Sequence, residues 1–386
     1  MASNFSFSRV PDVHVGLGST GQLAGVAKAL RVQAPIIITD EGIVDLGLLN
    51  TSVSSLTATG VRPTVFSGVV ADPPESILFE ALSTARKNGC DGVIGFGGGS
   101  SMDVAKVLSV LMVGDQKLGS MYGVDKVIGA RMPLIQIPTT AGTGSEATMV
   151  SVITTGKTTK AGIVSRTLLA DAVILDARLT FGLPPSITAA TGIDAMVHAI
   201  ESFTSVRLKN PMSDFLALKA LRLLSTNIRT VMHQSDNAEA RQAMLFGAMC
   251  AGEAFANAPV AAVHALAYPL GGNYHIPHGL TNSLVLPHVL RYNSPQADEL
   301  YDQLVPVILG ADRPYADKKE SALVLAEYFT KLAKELGLPT TLQQMNISKY
   351  DLPRLAKEAM TQTRLLINNP RFVSEKDALK IYQQAF

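Results

Sequence analysis

Cysteine is scarce in this 386-residue chain. Cys90 and Cys250 are the only two, too few for a disulfide framework. Each lies in a stretch that reads as an apolar helix, and a reduced, intracellular protein is expected. Charge of one sign is equally scarce. The 33 basic and 32 acidic residues leave a net charge of +1 with no block of like charge, which argues against nucleic acid or a membrane surface as partner. The first nine residues lack a basic segment followed by an apolar run, so no secretory signal is read and a cytoplasmic location is expected. Internal repeats and low-complexity tracts are also missing. The most apolar stretch, Ala243 to Leu270, is interrupted by Glu253, Asn257, Pro259 and His264, which predicts a buried helix pair and not a membrane span.

What the chain does have is enough apolar material, 47% of residues against 17% charged, for sizeable cores, and a length that favours two domains. In the first half, short β-branched runs alternate with amphipathic stretches. Residues 36–39, 93–96, 134–138 and 172–175 read as strands, and 76–87 and 101–112 as helices. Strands separated by helices predict an α/β domain with a parallel sheet covered on both faces. After Leu183-Pro184-Pro185 the pattern turns helical, with segments at 186–204, 212–231, 238–256, 261–270, 321–336, 351–361 and 374–385. The expected domains are therefore 1–183, α/β, and 184–386, all-α. Residues 295–320, with three prolines and several charges, read as a surface loop with short helices.

Two loops of the first half suit a nucleotide. Gly97-Gly98-Gly99-Ser100 turns from a strand into a helix whose first turn carries Asp103. Glycines let backbone N–H groups approach an anion, and the helix N-terminus adds partial positive charge. The spacing is not G-x-G-x-x-G, since Met102 stands at the last position, and a tight structural turn is the alternative. A second loop, Pro138 to Glu146, brings Thr139, Thr140, Thr143 and Ser145 to the end of another strand. Two such loops at carboxyl ends of parallel strands mark where an open α/β sheet binds a dinucleotide. Asp40, after the first of these strands, is the candidate ribose carboxylate favouring NAD over NADP, or else a turn-forming Asp.

The second half offers a metal site. Asp194, His198 and Glu201 fall at i, i+4 and i+7 on one helix, which is also the spacing of an ordinary solvated face. His264 sits among small apolar residues and His278 in a rigid Pro277-His278-Gly279 loop. Singly, each histidine reads as structural. Together, Asp194, His198, His264 and His278 make three imidazoles and a carboxylate, a set that accepts Fe(II), Zn(II), Ni(II) or Co(II).

The blocks Gly192–Glu201, His264 before Leu270-Gly271-Gly272, and Pro277–Asn282, with Gly97–Asp103 and Pro138–Glu146, resemble the iron-containing (group III) alcohol dehydrogenases, in the same order and over nearly the whole chain. The resemblance implies a dinucleotide-binding domain meeting a helical domain, with the metal and cofactor in the cleft between them. It implies Asp194, His198, His264 and His278 as ligands to Fe(II), and Lys160 and Leu179 as NAD contacts beside the two loops. Many members carry a second histidine four residues after the third ligand. Here that position is Tyr268, and His275 lies three residues before His278, so these two are the catalytic candidates. The activity implied is reversible hydride transfer between NAD(H) and a small alcohol or aldehyde, in a protein commonly dimeric. Alternatives on the same fold are a maleylacetate reductase, a hydroxyacid–oxoacid transhydrogenase or a dehydroquinate synthase-like lyase. The last is disfavoured because residues 194–201 and 260–282 carry no Lys or Arg. A non-catalytic metal-binding protein would leave the nucleotide loops without purpose. Phe255, Val260 and Leu266 are the expected lining for an uncharged substrate.

Overall fold

The computed structural model describes residues 4–156, 159–310 and 320–386. It contains two compact units, residues 8–182 and, with the first residues of the chain, 183–386. No single described helix is long and apolar enough to cross a membrane.

In the first unit, β1 (Asp12–Val15) leads through α1 (Leu23–Ala29) to β2 (Pro35–Ile38). Short helices α2 (Glu41–Asp45) and α3 (Asn50–Ala58) precede β3 (Thr64–Phe66). Then α4 (Glu75–Lys87), β4 (Gly92–Gly97) and α5 (Gly99–Leu111) follow. The rest is β5 (Gly123–Val124), β6 (Leu134–Pro138), the antiparallel pair β7 (Val150–Thr155) and β8 (Thr159–Val164), and β9 (Ala172–Leu175). Six strands form one parallel sheet in the order β1-β9-β6-β4-β2-β3. Its central strands are buried along their whole length, which is why they read as unbroken apolar runs. Leu23, Val26, Ile37, Ile94, Phe96, Ile135, Ile137 and Ile174 pack together in its core. From β2 the chain steps outward to β3, but from β4 it steps the other way to β6 and β9. The switch point of the sheet therefore lies between β2 and β4, where an open α/β sheet holds its ligand.

Two strands of this sheet, β1 and β3, and the small sheet β5-β8-β7 are absent from the sequence reading. Cys90 also departs from it. It lies in the turn after α4, whereas Cys250 is helical, and both are buried free thiols.

The second unit is helical: α6 (Pro185–Thr204), α7 (Pro211–His233), α8 (Ala238–Asn257), α9 (Ala262–Tyr274), α10 (His278–Leu309), α11 (Ser321–Glu335), α12 (Leu352–Ala359), α13 (Thr363–Leu366) and α14 (Glu375–Ala385). Pro185 opens α6 because a missing N–H costs nothing in the first turn. Asn210 and Ser374 close capping boxes on α7 and α14. The apolar stretch from 243 is the α8–α9 pair, bent by 107° and mostly buried. The loop expected over 295–320 is a correction: residues 295–309 continue α10, whose interior holds Pro287, Pro295 and Pro306. Packing against α6 and α11 keeps the helix running through positions where local propensity would end it. Residues 311–319 lie outside the described residues.

Candidate active site: an acidic-imidazole cluster and a phosphate cradle

The carboxyl ends of β2 and β4 bring Asp40 and the glycine turn together. Asp40 Oδ1 accepts from the Ile43 amide as the N-cap of α2, while Oδ2 lies 3.6 Å from where a Cβ on Gly97 would stand. Asp40 therefore caps a helix with one oxygen and faces the glycine turn with the other. Gly98 caps α5 with extended backbone. A Cβ on Gly99 would lie 2.9 Å from Thr143 Cγ2, so only glycine lets the two loops close on each other. Thr139 is buried, with its amide on the Gly97 carbonyl, and Thr140 flanks Gly98. Ser100 lies in the first turn of α5.

Asp103 and Ser145 bond to each other at 2.6 Å, and the second Asp103 oxygen accepts from the Val152 amide. They tie the loops together. Sequence reasoning missed the residue that completes this tie, Lys106. Its fully buried ammonium reaches Asp103, Ser145, Thr148 and the Val150 carbonyl. Burial pushes its pKa below the ordinary lysine value, with Asp103 and Glu146 pulling the other way. A lysine among apolar helix positions was the signal available. Lys160, on β8, pairs with Asp72 at 2.6 Å, and Leu179 packs into the sheet core.

In the helical unit, Asp194, His198 and Glu201 do share a face of α6, but that face is buried, not solvated. His264 comes from the first turn of α9 and His278 from the first residue of α10. Gly279 makes the second approach possible: a Cβ there would meet the Ala190 carbonyl oxygen at 2.4 Å and lie 3.2 Å from Asp194 Cβ. One ligand atom from each of Asp194, His198, His264 and His278 falls within 4.8 Å of every other. The Nε2 atoms of the three rings stand 4.0, 4.0 and 3.8 Å from Asp194 Oδ1. Asn282, one turn into α10, sends its amide nitrogen to Asp194 Oδ1 at 2.6 Å and to His264 and His278 Nε2 at 3.2 Å each. One side-chain amide thus faces a carboxylate oxygen and two ring nitrogens, and a carboxylate with three imidazoles is a donor set that fits a divalent cation. Burial raises the Asp194 pKa, but His198, His278, His264 and the Asn282 bond outweigh it, so the carboxyl lies below its ordinary value.

The two catalytic candidates part company. Tyr268 lies with its ring 5.8 Å from that of His278. His275 is exposed, ends α9 in the left-handed conformation (φ 55°) and stands outside the four-ligand cluster. Phe255 stacks on His198 at 4.5 Å, and with Val260, Ala265, Tyr268, Leu365 and Leu366 it forms an apolar wall beside the ligands. Leu266 is fully buried, and its carbonyl accepts from the Tyr382 hydroxyl.

Comparison with known proteins agrees with this geometry. Residues 11–177 match the model of the iron-containing alcohol dehydrogenases, and residues 188–386 that of the C-terminal part of the Fe-containing alcohol dehydrogenase family. The chain belongs to the iron-containing alcohol dehydrogenases. It is similar to long-chain-alcohol dehydrogenase 1 of Geobacillus thermodenitrificans, at 39% identity over 97% of this chain and 95% of that one. The crystal structure of a 1,3-propanediol oxidoreductase superposes with a TM-score of 0.95 at 30% identity, covering 99% and 100% of the two chains. That of a sulfoacetaldehyde reductase from Bifidobacterium kashiwanohense in complex with NAD+ gives 0.89 at 28%, covering 100% and 99%. As a member of this iron-containing family the chain is an oxidoreductase acting on CH–OH groups.

Proposed function

We propose that this enzyme interconverts a small, uncharged primary alcohol and its aldehyde with NAD(H), residues 1–183 binding the dinucleotide and residues 184–386 the metal. The observation that carries the reading is the cluster of Asp194, His198, His264 and His278, three neutral donors and one anion gathered with an apolar wall beside them. A divalent cation held by these four residues supplies Lewis acidity to the substrate oxygen. The chain's own residues do the rest. Asp194 offsets the charge, the imidazoles hold their lone pairs inward, and the Phe255–Leu366 wall excludes water and receives the substrate's carbon chain. The glycine and hydroxyl loops hold the dinucleotide, and Asp40 accepts from the adenosine ribose, which selects NAD. Tyr268 is the proton-handling candidate nearer the ligands; His275 acts as a helix terminator. The wall beside the ligands favours an alcohol with an apolar chain over an anionic aldehyde.

A substrate panel followed by NADH absorbance, on metal-stripped protein and on protein reloaded with Fe(II) or Zn(II), tests the reading. Turnover of unbranched alcohols that returns only with metal is expected. Equal turnover without metal, or a preference for sulfonated or phosphorylated aldehydes, would overturn it. The two buried free thiols suit a reducing compartment, and we place the enzyme in the cytoplasm as a homodimer, which light scattering tests.

A further inference from the structure

Among the described residues, Glu201 is the one buried acidic side chain of the metal half that the proposed chemistry does not use. It lies one turn beyond His198 on α6 and is 3% exposed. A carboxylate taken out of water at this depth is costly unless both oxygens are satisfied. Here they are: Oε1 accepts from the Val263 amide and Oε2 from His264 Nδ1, each at 2.6 Å. An ionised carboxylate only accepts, so the proton of the neutral His264 ring must sit on Nδ1. Nε2 is left as a bare lone pair, and that atom is the one turned toward Asp194 and Asn282. A glutamine cannot replace this arrangement. It offers one oxygen and one NH2 group to two donors, so either Val263 or His264 loses its acceptor. If His264 does, the amide donates to Nδ1 and drives the ring proton onto Nε2.

We propose that Glu201 is a positioning residue that locks His264 in the Nδ1–H tautomer and, through the same hydrogen bond, strengthens Nε2 as a donor, thereby setting the affinity of the site for its cation. The proposal rests on reading Asp194, His198, His264 and His278 as a metal site, although its first consequence is measurable without metal. In the metal-free protein labelled with 15N-histidine, the His264 ring, assigned by difference with His264→Gln, carries its proton on Nδ1, hydrogen-bonded and far downfield. In Glu201→Gln that proton moves to Nε2. Zn(II) affinity, measured by competition with a chromophoric chelator, falls by about 10- to 100-fold in Glu201→Gln, the usual loss when the partner behind a ligating histidine is removed. NADH fluorescence titration stays at the wild-type value, which shows that the variant is folded.

An Nε2–H tautomer in the wild type overturns the proposal, and that measurement needs no variant to fold. So does a Glu201→Gln protein that binds Zn(II) within about threefold of wild type, well short of the loss expected from an outer partner. Wild-type protein with the Nδ1–H tautomer and no affinity for Zn(II), Fe(II) or Co(II) counts against the metal reading and also against the affinity-setting role, leaving only the tautomer lock.

Discussion

In the proposed reading the helical unit and the sheet unit hold their ligands by opposite means. In the helical unit the ligating atoms are side chains on long helices, and Asp194 and His198 on α6, His264 on α9 and His278 on α10 converge because the helices that carry them pack closely. In the sheet unit the contact surface is backbone, a turn at Gly97-Gly98-Gly99 held by the Asp103–Lys106–Ser145 network behind it. A side-chain site fails when one atom is removed. A backbone site fails when its support moves. The largest expected effect therefore lies in the helical unit. His264→Ala or His278→Ala abolishes metal binding and lowers kcat/KM by roughly 10³-fold or more, the several kcal/mol that Lewis acidity supplies. NADH binding, read by fluorescence, stays close to wild type. Equal activity in either variant breaks the comparison at its root.

The reverse experiment moves the support of the cradle. Lys106→Met removes the buried cation among Asp103, Ser145, Thr148 and the Val150 carbonyl and leaves the half-buried Asp103 without it. A loss of about 3 kcal/mol in unfolding free energy is expected, as for a buried pair broken on one side. NADH affinity falls while Zn(II) affinity is retained. If both affinities fell together, the two ligand sites would not be separable in the way their construction implies.

A smaller change tests whether the helical site also leans on backbone at one place. Gly279→Ala puts a methyl 2.4 Å from the Ala190 carbonyl oxygen, so the start of α10 must shift from α6 and carry His278 with it. About 1–3 kcal/mol of stability is expected to go, the usual cost of overpacking, with a weaker Zn(II) site. A second effect is confined to the helical unit. Burial, with Arg291 adding to it, lowers the pKa of His288 on α10 from 6.5 to about 4. Between those values the unfolded chain takes up a proton that the folded one refuses, so stability is whole above pH 6.5 and falls as pH drops toward 4. At pH 5.5 the loss is about 1 kcal/mol. Denaturant titration of His288→Gln at pH 7 and 5.5 should show that part of the loss removed.

How much of this was legible in the sequence follows from the same contrast. Buried parallel strands and amphipathic helices announce themselves by period, and four of the six strands of the main sheet and the outlines of most helices of the second unit were readable. The four-residue cluster was readable because Asp194 and His198 fall four apart and the histidines are rare. What escaped depended on partners distant in the chain. Strands β1 and β3 are the edges of the sheet and only partly buried, so they lack the unbroken apolar run that marks the equally short β2 and β9. Proline signals over 295–309 were overridden by packing on α10. Glu201 and Asn282 read as ordinary polar residues until α9 and α10 bring His264 beside them. Lys106 gave a faint signal, a charge in an apolar stripe, whose meaning needed the Ser145 loop.

The least expected effect, and the sharpest for the cofactor, is at Asp40. One of its oxygens caps α2 through the Ile43 amide and the other faces the glycine turn. Asp40→Asn keeps an acceptor for Ile43, so its cost in stability stays within a few tenths of a kcal/mol, since Asn and Asp cap almost equally well. What it removes is the negative charge that repels a 2′-phosphate. The ratio of kcat/KM for NAD over NADP should fall by about tenfold, roughly 1.4 kcal/mol of discrimination, with thermal stability unchanged. A stability loss without a change in that ratio would assign Asp40 to the helix cap alone, and the sheet unit's selectivity would then have to lie in the hydroxyls of Thr139, Thr140 and Thr143.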